Sequence, residues 1–253
     1  MRLVPLDEPS RECGYLPDRD SSYESYLVLE ATETEREQLL AAGYRAFGKY
    51  VFRPRCGLCA ECVPLRVPAT KFQLSKSQRR VLKKCKEVQV EIGSPRFTQE
   101  KLEIYHDHLQ RFQRSDSVST EEDFRFSFYD PDIPAFEFTY YLDGNLIAFG
   151  IVQKTPRAFS SVYFTYRLAF SKLSLGVFSV LQEIEFARQT HRPYVYLGYY
   201  VHQNHFMNYK AQYCPNEVLT HSGRWVPYFD SARTCQWARR PEFVPYPCLT
   251  DSN

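Results

Sequence analysis

No run of about 18 consecutive apolar residues occurs in the 253 residues of the chain. Its start, Met1-Arg2-Leu3-Val4-Pro5-Leu6-Asp7-Glu8, has neither the apolar stretch nor the cleavage ending of an export signal. Neither membrane insertion nor export is signalled, and a cytoplasmic protein is the expectation. Gly-x-x-x-x-Gly-Lys-Ser/Thr is missing, which removes the phosphate loop of P-loop NTPases. Gly-x-Ser-x-Gly and His-Glu-x-x-His are missing too, and with them the common hydrolase signatures. Charge of one sign is not in excess: 32 basic side chains face 30 acidic ones, a net charge of +2. That balance argues against wholesale coating of nucleic acid and leaves room for a local basic face. What the chain does have is 43% hydrophobic residues, with 19 Tyr and 19 Phe, enough for one large folded domain or a small module joined to a medium one.

Eight cysteines stand at positions 13, 56, 59, 62, 85, 214, 235 and 248. In a long chain without an export signal they read as reduced thiols or metal ligands rather than as a disulfide framework. Cys56, Cys59 and Cys62 follow one another at three-residue steps, so a tight turn can point three sulfurs at one centre. A tetrahedral zinc ion or an iron–sulfur cluster wants a fourth ligand, for which Cys13 is preferred over Cys85. The alternative is a set of free or redox-responsive thiols filling a small module.

Thr34-Glu35-Arg36-Glu37 has the form of a capping box before Leu39 and Leu40, and Gly43 suits the left-handed end of that helix. Tyr50-Val51-Phe52 reads as a strand stopped at Pro54. From Arg53 to Lys86 ten basic residues face Glu61 alone. Within that segment Ser75 caps a helix projecting Lys76, Arg79, Arg80, Lys83 and Lys84, with Val81 and Cys85 on the other face. Such a helix is a solvated basic surface or a phosphate-contacting one.

Thr98 opens a second helix with Leu102, Tyr105, Leu109 and Phe112 at helical spacing, and Arg114 to Glu122 reads as a loop or hinge. Beyond Pro134 the period shortens to that of strands. A hairpin, Phe136 to Leu142 and Leu146 to Val152, turns at Asp143-Gly144-Asn145. A third strand (Ser161 to Tyr166), a helix (Leu175 to Arg188) and a fourth strand (Tyr194 to Tyr199) follow. That order is the order of an acyltransferase core, in which the turn at Ser174-Leu175-Gly176 offers backbone donors to an anion or carbonyl oxygen. The final residues, with Pro241, Pro245 and Pro247, read as an irregular tail.

Met207-Asn208-Tyr209-Lys210 combines amide, phenol and cation directly after the last core strand. Asn208 and Lys210 can orient a carbonyl or carboxylate and Tyr209 can pass a proton, although Tyr209 and Tyr213, four apart, also suit plain packing of a helix face. His202 and His205 lack a carboxylate at useful spacing and read as surface or hydrogen-bonding histidines.

Several ordered blocks together resemble the bacterial aminoacyl-tRNA–protein transferases of the N-end rule pathway, specifically the leucyltransferases acting on amino-terminal Asp or Glu. The blocks are Cys13-Gly14-Tyr15-Leu16-Pro17-Asp18-Arg19, Phe52-Arg53-Pro54-Arg55-Cys56, Val63-Pro64-Leu65-Arg66-Val67, Ser174-Leu175-Gly176-Val177-Phe178, Tyr196-Leu197-Gly198-Tyr199 and Met207-Asn208-Tyr209-Lys210. One departure is Tyr166-Arg167-Leu168, where the family usually runs toward Tyr-Asp-Pro.

The resemblance implies transfer of an aminoacyl group from a tRNA to a protein's α-amino group, with no cofactor required for the transfer. It implies an α+β fold: an acetyltransferase-like mixed-sheet domain over residues 93–253, behind a smaller cysteine-containing module over residues 1–92. Asn208, Tyr209 and Lys210 are then the catalytic candidates. Tyr15, Arg53, Arg55, Arg66, Ser174, Gly176 and Tyr199 are the substrate-binding candidates, the arginines because a guanidinium fork suits a carboxylate. Lys76, Arg79, Arg80, Lys83 and Lys84 become tRNA contacts. Cys13, Cys56, Cys59 and Cys62 are candidate ligands of a structural zinc ion or iron–sulfur cluster, since eukaryotic arginyl relatives carry a cysteine-rich site near their amino terminus. The expected partners are leucyl-tRNA and proteins beginning with Asp or Glu, with no membrane partner. Two rivals stand beside this reading: an arginyl-tRNA–protein transferase, and a non-catalytic RNA-binding or redox-sensing protein.

Overall fold

A computed structural model describes residues 1–57, 59–112 and 120–234. The expected hinge at Arg114–Glu122 falls mostly outside those residues, as does the proline-bearing tail. Chain order begins with strands β1 (Arg2–Leu6), β2 (Arg11–Glu12), β3 (Asp20–Ser21) and β4 (Tyr23–Glu30), then helix α1 (Glu33–Ala41), β5 (Arg45–Phe47) and β6 (Tyr50–Pro54). Strand β7 (Val63–Pro68), helix α2 (Lys76–Lys84), β8 (Gln89–Gly93), α3 (Gln99–Leu109) and α4 (Glu121–Phe128) follow. The remainder is β9 (Ala135–Leu142), β10 (Asn145–Lys154), β11 (Ala158–Tyr166), α5 (Leu175–Gln189), β12 (Tyr194–Tyr200), α6 (His205–Asn208), β13 (Asn216–Leu219) and β14 (Trp225–Phe229).

Local signals account for most of these boundaries. Ser75 accepts from the Gln78 amide, whose side chain returns the bond, and Thr98 accepts from the Lys101 amide, so both helices start where expected. Helix α1 starts earlier than Thr34. Thr32 is its cap, with Glu35 as reciprocal partner, because the same Thr-x-x-Glu spacing recurs two residues upstream. Asp143 and Gly144 take φ of 50° and 76°, the left-handed pair that a two-residue turn between β9 and β10 requires.

Eight strands form a mixed sheet in the order β14-β13-β7-β12-β11-β10-β9-β8. Strand β7, from the amino-terminal side of residue 92, and β8, which straddles it, thus pair within the same sheet as β9–β14. A four-stranded sheet, β1-β4-β6-β5, carries the first part of the chain, and β2 and β3 form a small separate pair. Phe138, Tyr140 and Phe159 bury against Leu175, Phe178, Leu181 and Ile184 of α5 on one face of the large sheet. Phe149, Ile151 and Val162 bury against Leu102, Ile104 and Phe124 of α3 and α4 on the other. With both faces covered, the central strands become nearly continuous apolar runs. No helix among the described residues is long and apolar enough to cross a membrane.

One feature of the sheet positions the candidate site. Strands β11 and β12 are parallel and pair only at Ala158↔Tyr194, Phe159↔Val195 and Ser160↔Tyr196. Beyond Ser160 the two part, β11 staying with β10 and β12 staying with β7. The backbone of Ser161 is left facing a gap, and a gap in a buried sheet must be filled by other polar groups.

Candidate active site

Arg45 of β5 fills that gap. Its guanidinium donates to the Ser160 hydroxyl at 2.8 Å and to the Ser161 carbonyl. Across from it Gly198 of β12 has φ of +80°, and a Cβ there would lie 2.9 Å from Arg45 Nε. Only glycine combines that backbone with room for the guanidinium. On α5, Glu183 is fully buried and accepts from Ser161 at 3.3 Å and Ser179 at 3.1 Å. Its second oxygen has no hydrogen-bond partner among the described residues. Burial pushes this carboxyl up to about 7, against the opposing pull of both serines and of Arg45.

The segment after α6 closes the same place. Lys210 is buried, donates to the Tyr199 carbonyl at 2.7 Å, and is drawn down to about 7 by burial and by the charge of Arg45. Tyr209 is 40% exposed, yet Glu183 and Arg45 are near enough to act on its phenol, which the surrounding protein holds above the ordinary range. Surrounded but open to solvent, Tyr209 lines a crevice. The Tyr199 hydroxyl is shared between the carbonyls of Gly43 (3.0 Å) and Phe52 (3.1 Å), tying the two large sheets together. Tyr15 is half-buried, raised to about 12 chiefly by burial and then by the Cys62 thiol, and its carbonyl accepts from Asn204 at 2.8 Å. Asn208 is exposed and donates to the His202 carbonyl at 3.2 Å, at the rim. Tyr209 and Tyr213 also touch, ring centres 6.4 Å apart, so the packing role and the crevice coexist.

Ser174, the residue before α5, is in the left-handed conformation, with no side-chain bond to α5. The ladder of α5 begins with Val177 and Phe178 on the Ser174 carbonyl, which leaves the amides of Leu175 and Gly176 outside it. These point donors and the positive helix end the same way.

Arg53 and Arg55 both donate to Glu24, at 2.8 and 2.7 Å. Burial works against the Glu24 charge, but bonds from Arg53, Tyr44 and Arg55 outweigh it and hold the carboxyl down at about 2. Arg66 is bound to Glu217 at 2.7 Å and to the Tyr196 hydroxyl at 3.0 Å, with Tyr194 and Trp225 rings 3.8 and 4.3 Å from its guanidinium. All three arginines are therefore engaged by side chains of their own chain. Arg45 and Glu183 were invisible to motif reading. The available signal was Ser179 and Glu183, polar and four apart on the buried stripe of an otherwise apolar helix.

The cysteines gather beside this crevice. Cys62 is pushed above the ordinary thiol range first by burial, then by Cys56, Cys13 and Cys59, and Lys210 opposes the shift. Cys59 accepts from Arg19 at 3.2 Å, Cys13 from the Tyr15 amide at 3.5 Å, and Cys56 faces the Ser22 carbonyl at 3.7 Å. Among the described residues, no three of Cys, His, Asp or Glu are grouped as metal ligands would be.

The basic helix adjoins the crevice. Lys76, Arg79, Arg80, Lys83 and Lys84 are all exposed, and none has an acidic partner among the described residues. On the hidden side of the same helix Gln78 is 1% exposed and donates to the Gln212 carbonyl at 3.3 Å. The Gln73 amide donates to the Cys214 carbonyl at 3.1 Å. The cationic surface is thereby fixed to the segment that carries Tyr209 and Lys210.

Residues 11–80 match the family model "Arginine-tRNA-protein transferase, N terminus" and residues 100–220 match "Arginine-tRNA-protein transferase, C terminus". The chain is 33% identical over 214 residues to the aspartate/glutamate leucyltransferase of Campylobacter jejuni, covering 82% of this chain and 89% of that one. It is 32% identical over 223 residues to the enzyme of the same name from Pseudomonas syringae, covering 86% and 93%. Among solved structures, the C-terminal domain of a putative lysylphosphatidylglycerol synthetase from Agrobacterium fabrum superposes with a TM-score of 0.44 at 16% identity, over 65% of this chain and 50% of that one. With both family models matched in order and relatives covered nearly end to end, the chain belongs to the arginine-tRNA-protein transferase family of aminoacyltransferases.

Proposed function

We propose that this transferase moves leucine from leucyl-tRNA to the α-amino group of proteins beginning with Asp or Glu, in the cytoplasm, marking them for N-end rule degradation. The observation carrying this reading is the match, over most of both chains, to relatives named aspartate/glutamate leucyltransferase. We read the large sheet with its parted β11–β12 pair as an acetyltransferase-like core, the parting being the reaction crevice.

The chemistry needs little from the enzyme beyond position. The ester joining leucine to the tRNA ribose is already activated, and an α-amino group with pKa near 8 is partly neutral at pH 7. Its nitrogen attacks the ester carbonyl carbon, the ribose oxygen leaves, and an amide bond replaces the ester. One proton departs the attacking amine and one reaches the ribose oxygen, so the two transfers balance. Lys210, held near neutrality by burial, takes the first, and Tyr209 at the crevice wall supplies the second. The amides of Leu175 and Gly176 stabilise the oxygen that becomes negative in between. Exposed cations of α2 hold the acceptor stem through phosphate contacts.

Purified protein incubated with labelled leucyl- or arginyl-tRNA and a peptide beginning with Asp tests the reading directly. Labelled peptide from leucyl-tRNA is the expected product. Label from arginyl-tRNA alone overturns the choice of amino acid, and tRNA binding without product from either overturns the catalytic role.

A further inference from the structure

Arg45 differs from every other arginine considered for binding an acidic group. Arg53, Arg55 and Arg66 each bond a carboxylate of their own chain. Arg45 has no ion pair among the described residues, and its two bonds to Ser160 and Ser161 leave guanidinium donors over. It lines a cleft together with Arg36 and Lys154. No Asp or Glu is among the residues lining the cleft. Arg36 Nε is buried and has no hydrogen-bond partner among the described residues.

The acids that act on these cations stand outside the cleft. Glu33 is 3.6 Å from Lys154, Asp130 and Asp132 act on Arg36 from a distance, and Glu183 acts on Arg45 without bonding it. Burial works against the charge of both Arg45 and Arg36. An entering anion would offset that cost. Arg45 also acts electrostatically on Tyr15, Tyr199 and Tyr209, and its guanidinium packs against Gly198 of β12, beside the crevice.

We propose that Arg45, with Arg36 beside it, receives the side-chain carboxylate of the acceptor's first residue in this cleft. The proposal rests on the transfer reading above for the identity of the acceptor. A carboxylate seated on Arg45 is one or two methylenes from its own α-carbon, which delivers the α-amino group to the crevice where Tyr209 and Lys210 stand. Arg45 is thus a specificity residue that touches substrate, and Gly198 is the residue that makes its position available.

The test measures binding of fluorescent peptides beginning with Asp or Asn to full-length protein without tRNA, and then leucine transfer to the same peptides. Wild type should prefer Asp. Arg45→Met should weaken the Asp peptide about 100-fold and leave the Asn peptide within about threefold, so that the preference collapses, while Arg45→Lys restores part of it. Arg36→Gln, which leaves the bonds at Ser160 and Ser161 intact, should weaken the Asp peptide about five- to tenfold with KM for leucyl-tRNA unchanged. Absence of an Asp preference in wild type, an intact preference in Arg45→Met, or equal weakening of both peptides overturns the proposal. So does loss of leucyl-tRNA binding with peptide binding spared, the outcome if tRNA phosphates occupy the cleft. Should Arg45→Met not fold, Arg36→Gln decides, an unchanged preference counting against. Arg45-dependent Asp binding in a protein that transfers no leucine would sink the donor reading and leave this one standing. Leucine transfer with an Arg45-independent preference would do the reverse.

Discussion

Lys210 Nζ donates a 2.7 Å hydrogen bond to the carbonyl oxygen of Tyr199, joining the segment after α6 to the strand that borders the sheet gap. That single bond holds a lysine at the wall of the crevice in an environment that disfavours its charge. Lys210→Met should lower leucine transfer about tenfold or more while leaving tRNA affinity within about twofold. Equal loss of both would mean that the lysine only supports the fold.

The same residue leaves a signature in stability. Its folded pKa, about 7, lies below the value of a free lysine, so above pH 7 the native state has released a proton that the unfolded chain keeps. Stability due to Lys210 therefore rises as pH climbs from 7 toward the ordinary lysine range, with a slope approaching about 1.4 kcal/mol per pH unit. Urea unfolding of wild type and Lys210→Met across pH 7 to 10 should show the slope in the first and not in the second.

Glu183 acts in the opposite sense. Its folded pKa is raised to about 7, so the native state holds a proton that the unfolded chain has lost, and stability falls as pH rises from about 4.5 to 7. Glu183→Gln mimics the neutral form and should flatten that decline. A decline that persists in the variant would have to come from another group.

Gly198→Ala forces a side chain into left-handed backbone and places it 2.9 Å from Arg45 Nε. A cost of about 1–3 kcal/mol is expected. Because the clash falls on Arg45, selectivity for an Asp peptide over an Asn peptide should drop further than stability alone explains.

Away from the crevice, Lys101 and Glu137 form a buried pair at 2.5 Å, with Tyr129 and the Arg96 amide also on the carboxylate. Lys101→Met strands that charge among apolar residues and should cost about 3–5 kcal/mol in urea unfolding. If the loss is below about 1 kcal/mol, Tyr129 and Arg96 satisfy Glu137 without the lysine.

On α2, Arg79→Ala and Lys83→Ala should each weaken tRNA binding and lower the slope of log affinity against log salt by about 1. Neither side chain bonds an acidic residue among the described ones, so stability should move by less than about 0.5 kcal/mol. An unchanged salt slope would show that the helix faces solvent rather than phosphate.

The helices at Ser75 and Thr98, the hairpin at Asp143-Gly144 and the order of strands from β9 to β12 were all legible in the chain, since caps, turns and periodicity are short-range signals. The blocks around Tyr199 and Met207–Lys210 were legible too, and the structure joins them through the Lys210 bond to the Tyr199 carbonyl. The ion pairing of the arginines was not legible. Glu24 lies 29 residues from Arg53 and Glu217 lies 151 residues from Arg66, and no local pattern announces such partners.

By itself, then, the amino-acid order determined which segments become helix or strand, where the chain is basic, and which family it belongs to, because each depends on neighbours along the chain. Tertiary structure alone decided that Arg53, Arg55 and Arg66 pair with acids of their own chain and that Arg45, among the described residues, does not. Charge availability depends on burial and on distant partners, and both arise only when β5, β11, β12 and α5 meet around the gap that Arg45 fills.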